Sequence, residues 1–118
     1  MNIVVLAGGT SSERDVSIVT SRLVCESLRR NGHNANIVDA FLGTDEYSDA
    51  DAFFKADNNL ELVAEYLRKK SSDVKNLADE RRKSGHGFLG NMVFELCKAA
   101  DIVFIGLHGA NGEDGRIQ

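Results

Sequence analysis

The chain has 118 residues, a formal net charge of −4, 42% hydrophobic residues and 27% charged residues. That length suits one domain, which can bury roughly two-thirds of its unfolded surface. The acidic balance argues against a general nucleic-acid binder, which needs excess cationic charge to release counterions. No apolar run approaches the roughly 20 residues of a membrane-spanning helix.

Met1 leads straight into a strand pattern, without the basic and apolar regions of a secretory signal, so a cytoplasmic setting is expected. Cys25 and Cys97 are far apart and form neither a CxxC pair nor a metal spacing. They read as free buried thiols. With no proline in the chain, turns must rely on glycine, aspartate and asparagine.

Residues 2–7 form a continuous apolar run rich in β-branched residues, as expected of a parallel strand covered on both faces. Gly8 and Gly9 end it. A helix is expected to begin near Ser12, because Ser12 and Asp15 have the spacing of a capping box. Val16, Val19, Leu23, Val24 and Leu28 recur at helical spacing and are the expected buried stripe. Arg29, Arg30, Asn31 and Gly32 end the helix, with cations over its negative pole and glycine as the stop. Residues 34–39 read as the second strand, which implies parallel pairing through a right-handed crossover.

Residues 40–59 read as irregular and acidic. A helix follows from Leu60 to Lys70, with Leu60, Val63, Tyr66 and Leu67 on one face, and a possible continuation through Val74 and Leu77. Arg81, Arg82 and Lys83, preceded by Asp79 and Glu80, suit a solvated helix end. Ser84-Gly85-His86-Gly87 breaks the helix. A shorter helix over 89–99 is expected to bury Leu89, Met92, Val93 and Leu96, and residues 101–106 form the third strand. His33 and His86 sit in turn-like settings that face solvent.

The expected fold class is therefore α/β: a Rossmann-like open parallel sheet, strand order 2-1-3, with helices on both faces. The reversal of strand order creates a crevice between the ends of strands 1 and 3, where the loops after Ala7 and Gly106 meet. The first loop fails as a dinucleotide fingerprint, since Thr10 and Glu13 stand where glycines are needed and an acid would repel pyrophosphate. It also lacks the G-K-[ST] of a phosphate-binding loop, and the second loop lacks the ligand spacing of a calcium-binding hand.

Two residues in these loops point to chemistry. Glu13, in the first helical turn, can serve the helix dipole alone. Facing the crevice, it can also accept hydrogen bonds from a substrate ammonium. His108, directly after strand 3, can hold its loop or touch a polar ligand. Gly109, Gly112 and Gly115 let the backbone turn and approach closely, and Asp114 or Glu113 can serve a following helix end.

Gly8-Gly9-Thr10-Ser11-Ser12-Glu13-Arg14-Asp15-Val16-Ser17 and Leu107-His108-Gly109-Ala110-Asn111-Gly112-Glu113-Asp114-Gly115-Arg116-Ile117-Gln118 resemble a known pair of motifs. They are similar to the G-G-x-S-x-E-R-E-V-S and L-H-G-x-x-G-E-D-G-x-x-Q motifs of D-alanine–D-alanine ligases, which belong to the ATP-grasp superfamily. Asp15 departs from the usual glutamate. The resemblance implies that residues 1–118 are the amino-terminal substrate-binding domain, incomplete at its end, of an enzyme whose ATP-grasp portion follows.

The implied activity is ATP-dependent joining of two D-alanines for peptidoglycan synthesis, through an acyl phosphate. Glu13 would bind the ammonium of the first D-alanine, with Val16, Ser17 and His108 beside it. Glu13 and His108 would act by positioning rather than bond-making. ATP and magnesium would serve the longer enzyme, with no cofactor or metal ligand in this chain. The implied partners are D-alanine, the enzyme's own ATP-grasp domain and a second copy in a homodimer, with neither nucleic acid nor membrane. A ligase joining D-alanine to D-lactate or D-serine, and a stand-alone flavodoxin-like binding module, remain alternatives.

Overall fold

A computed structural model describes residues 1–9, 13–83 and 89–106, apart from the side chains of Lys75 and Arg82. Three strands, β1 (Asn2–Ala7), β2 (Asn34–Asp39) and β3 (Ile102–Ile105), form a parallel sheet in the order β2-β1-β3. The register pairs Leu6 with Val38 on one side and with Ile105 on the other. The expected strand order thus holds, with β3 shorter than the 101–106 run.

Alternation along the central strand divides the core into two layers. Ile3, Val5 and Ala7 pack with Ile18 and Cys25 of helix α1 (Arg14–Arg30), and with Leu60, Ala64 and Leu67 of α3 (Leu60–Lys69). Val4 and Leu6 face the other way. They meet Phe53 and Phe54 of α2 (Ala50–Lys55), and Val93 and Leu96 of α5 (Val93–Ala99). Between these, α4 (Ser71–Lys83) buries Val74. The helical reading through Leu77 is therefore correct, as a separate helix after a turn at Lys70.

Helix α1 keeps only part of its expected face: Leu28 packs against the core and Val24 is half-buried. Val16 and Leu23 are 52% and 53% exposed, and Val19 is also exposed. The inward side carries Arg14, Ser17, Ile18, Ser21 and Cys25. Small side chains let this helix lie close to the sheet. A Cβ on Gly106 would strike Ser21 Oγ, so large apolar residues at positions 17, 21 or 25 would force the layers apart. The helix also starts later than expected. Its N-cap is Glu13, without a side-chain cap hydrogen bond, and Asp15 accepts instead from Ser71 Oγ at 2.7 Å. Ser12, the expected cap, lies outside the described residues. The C-terminal stop is as expected, with Asn31 as C-cap and Gly32 at φ +87°.

Residues 40–59 are not wholly irregular. Asp49 accepts from Ala52 N at 2.9 Å and starts α2, whose Phe53 and Phe54 are buried. Adjacent phenylalanines in a six-residue helix give no periodicity to detect. Buried Asn36 donates to Phe53 O at 3.0 Å, pinning α2 to β2. Arg81 is no solvated helix end: it donates to Phe41 O at 2.7 Å, with its guanidinium 3.9 Å from the Phe41 ring centroid. Helix α5 starts at Val93, behind Met92 at φ 68°, and Leu89 is exposed rather than buried. Cys25 is buried and Cys97 half-buried, both as free thiols. His33 is half-buried rather than fully solvent-facing, while His86 and the 84–87 break lie outside the described residues. Among the described residues no helix is long and apolar enough to cross a membrane.

Candidate functional site

Parallel pairing sends β1 and β3 out of the sheet at the same rim. Gly106 N donates to Leu6 O at 2.9 Å, and Ala40 N donates to Ala7 O at 2.9 Å, so the turn leaving β1 is flanked on both sides. Ser17 makes the connection direct. Its hydroxyl donates to Gly106 O at 2.5 Å and accepts from Gly8 N at 3.0 Å. A side chain of α1 thereby ties the start of the first glycine-rich segment to the residue before the second.

Glu13 sits at this rim, exposed, as the residue that opens α1. Its carbonyl accepts from Ser17 N at 3.0 Å. The positive pole of the helix favours an acid here by about 0.3–1 kcal/mol. Val16 is exposed in the first turn, whereas Ser17 is buried with its hydroxyl engaged as described. His108 lies outside the described residues, as does all of the second motif from Leu107 onward.

Beneath Glu13 lies a charged arrangement that the sequence reading missed. Arg14 is only 4% exposed and Asp39 only 1%. Arg14 Nη1 stands 2.5 Å from Asp39 Oδ2 and also donates to Gly9 O at 3.0 Å. Nη2 donates to Leu67 O at 3.0 Å, and Nε to Ser71 Oγ at 2.9 Å. The planar fork thus joins the segment after β1, the end of β2, α3 and α4 at one point. Asp39 Oδ1 accepts from the amides of Phe41 at 2.9 Å and Leu42 at 2.8 Å, shaping the turn after β2. Burial pushes the Asp39 carboxyl above its ordinary 3.8, against the opposing pull of Arg14 and the two amides.

Gly8 makes room for this pair. Its φ is +80°, and a Cβ there would fall on Asp39 Oδ2 and Arg14 Nη1. An acid ending the second strand of a dinucleotide-binding fold would hold a ribose. Asp39 is sealed under Arg14 instead, which fits the absence of a glycine fingerprint. The available signals for the pair were modest: an arginine beside Glu13 and an acid closing an apolar strand.

Elsewhere, a cleft of about 240 Å³ runs between β2, the 43–47 loop and α3, with Tyr47, Asn58, Leu62 and Tyr66 among its walls. None of Glu13, Val16 and Ser17 lines it. Among the described residues no group of three or more His, Cys, Asp or Glu side chains could hold a metal ion.

An open parallel α/β sheet whose first and third strands end at one rim, with the order reversing at β1, defines a domain of the open, switch-point α/β class. Comparison with known proteins makes this specific. The D-ala D-ala ligase N-terminus family model matches residues 2–118, and the chain belongs to that family. It is 38% identical, over its whole length, to a D-alanine–D-alanine ligase of Lacticaseibacillus casei, covering 33% of that protein. It is 35% identical over its whole length to the Pediococcus pentosaceus ligase, covering 34% of it. It is 32% identical over 98% of its length to a Leptospira interrogans ligase, covering 30% of that protein. The chain thus spans about a third of the length of these relatives. No solved structure gives a significant match.

Proposed function

We propose that this domain supplies part of the first-substrate site of an ATP-dependent ligase that joins two D-alanines. The observation that supports the reading is the Ser17 bridge between Gly8, in the first family motif, and Gly106, the residue before the second. Glu13 accepts hydrogen bonds from the ammonium of the first D-alanine, and the charge of that contact strengthens it. Val16 lines the subsite. Ser17 supports it from behind, and His108 orients the substrate from the facing loop.

In this reading an ATP-grasp portion outside these residues holds ATP and magnesium, which activate the substrate carboxylate as an acyl phosphate. The contribution of Glu13 and His108 is proximity and orientation, effects that supply several kcal/mol when the reacting atoms are well placed.

The test is kinetic. The reading frame containing this chain, expressed whole, should release phosphate from ATP only when D-alanine is present. Glu13→Gln removes the charge but keeps the shape, and should raise the D-alanine requirement about tenfold or more. Wild-type kinetics in that variant would take Glu13 out of the site. A substrate panel including D-lactate and D-serine identifies the second substrate.

A further inference from the structure

We infer that Arg14, locked by Asp39 and Ser71, is the positioning residue that sets where Glu13 stands, so that the α3–α4 junction tunes first-substrate binding. The inference rests on the proposed role of Glu13 and extends it to residues that have no assigned part in the reaction.

The argument begins with adjacency. Arg14 follows Glu13 directly and is the first residue of α1. Its guanidinium is buried and meets Asp39, Gly9 O, Leu67 O and Ser71 Oγ. Gly9 follows β1 and Glu13 opens the helix, so the arginine ties the end of the β1 segment to the start of α1. Ser71 adds a second tie, because its hydroxyl donates to Asp15 Oδ1 while accepting from Arg14 Nε. The opening turn of α1 is therefore held at Arg14 and Asp15, the two residues that follow Glu13.

A buried ion pair is a poor way to gain stability, since apolar residues of the same volume serve as well. Its advantage here is directional. A guanidinium engaged on four sides fixes the start of α1 in one placement, whereas an apolar contact tolerates sliding. Such precision matters where a carboxylate must meet an ammonium, because a displacement near 1 Å at a positioned group is felt in turnover or affinity.

An internal control exists at the far end of the same helix. Arg29 also forms a network, donating to Ala35 O, Asn58 O, Asn58 Oδ1 and Ala56 O. It lies at the opposite rim of the sheet, near the start of β2, and it braces the fold without touching the Glu13 turn.

The experiment compares Arg14→Lys, Ser71→Ala, Ser71→Thr, Arg29→Lys and Glu13→Gln in the whole expressed protein. KM for the first D-alanine, kcat and thermal midpoint are read for each. Arg14→Lys keeps the charge opposite Asp39 but loses the fork, and should raise that KM about tenfold with kcat within about twofold of wild type. Ser71→Ala should raise it about threefold, and Ser71→Thr should restore it by returning the hydroxyl. Arg29→Lys should lower the thermal midpoint and leave KM unchanged.

Wild-type KM in Ser71→Ala overturns the inference, even if Arg14→Lys fails to fold. So does an equal rise in KM in Arg29→Lys, which would make the effect one of general stability. If Glu13→Gln raises KM while Arg14→Lys and Ser71→Ala do not, the function stands and the positioning role falls. If Glu13→Gln leaves KM unchanged, the assigned role of Glu13 fails and the positioning inference with it. Absence of D-alanine-dependent phosphate release from the wild type overturns both.

Discussion

Ser17 and Gly106 lie 89 positions apart in the chain and share a hydrogen bond of 2.5 Å in the buried layer under the loop-bearing rim. The same hydroxyl accepts from Gly8 N. Ser17→Ala should leave a buried amide and a buried carbonyl unpaired, and a buried group stripped of its partner costs about 1–3 kcal/mol. Urea unfolding should show a lower midpoint with an unchanged slope. Ser21→Ala is the contrasting case. Ser21 Oγ is buried without a hydrogen-bond partner among the described residues, so removing it should be neutral or slightly stabilising. Equal losses in the two variants would contradict the bridging role of Ser17.

Gly8→Ala should be far more damaging than Gly32→Ala, although both glycines have positive φ. The Cβ added at Gly8 meets Asp39 and Arg14, whereas nothing stands within 4 Å of the one added at Gly32. Alanine at position 32 faces backbone strain alone, a cost of about 1 kcal/mol. Alanine at position 8 also displaces a buried ion pair, and breaking such a pair costs about 3–5 kcal/mol. Against a total stability of about 5–15 kcal/mol, Gly8→Ala should drop soluble yield and thermal midpoint sharply. Paired thermal melts check this.

The exposed flank of α1 gives an expectation opposite to the one its pattern suggests. Val16→Ser and Leu23→Gln should each change stability by no more than about 0.5 kcal/mol, as surface substitutions do. Ile18→Ala should cost about 2–5 kcal/mol, because Ile18 is fully buried against β1. Denaturant midpoints of the three variants, compared in one buffer, decide between the two faces.

The exposure of Val16, Val19 and Leu23 shows where sequence reasoning reached its limit. Strands β1 and β3 were legible from their continuous apolar runs and β2 from its Ile37-Val38 core, and the order β2-β1-β3 followed from the crossover between them. The helix was legible in extent but not in rotation. Its large apolar residues outweigh Ser17, Ser21 and Cys25 in any hydrophobic count, yet Ser21 stands so close to Gly106 that a larger side chain does not fit there. The candidate site divides in the same way. The position of Glu13, opening the first helix after a glycine pair, was legible. Arg14 and Asp39 were not, because a buried ion pair between residues 25 positions apart has no periodic signature. Ser17 was assigned to a substrate role on resemblance alone; its hydroxyl serves Gly8 and Gly106, a role that only the strand order reveals.

The thiol of Cys25 should make the fold sensitive to alkaline pH. Burial raises its pKa from 9.0 to about 11; nearby Arg29 pulls the other way and Glu26 adds to the rise. The folded chain therefore holds this proton more tightly than the unfolded chain. Stability attributable to the protonated thiol is complete below pH 9.0, the ordinary value. It is lost as pH rises toward about 11, since the unfolded state ionises first. The slope is at most about 1.4 kcal/mol per pH unit. Lysines and tyrosines also titrate in that range, so the measurement is a difference. The wild-type protein and Cys25→Ala should show parallel stability curves below pH 9, and wild type should lose more above it. Thiol labelling gives the matching result in the native state: half-buried Cys97 should react slowly at pH 8, and Cys25 only after unfolding.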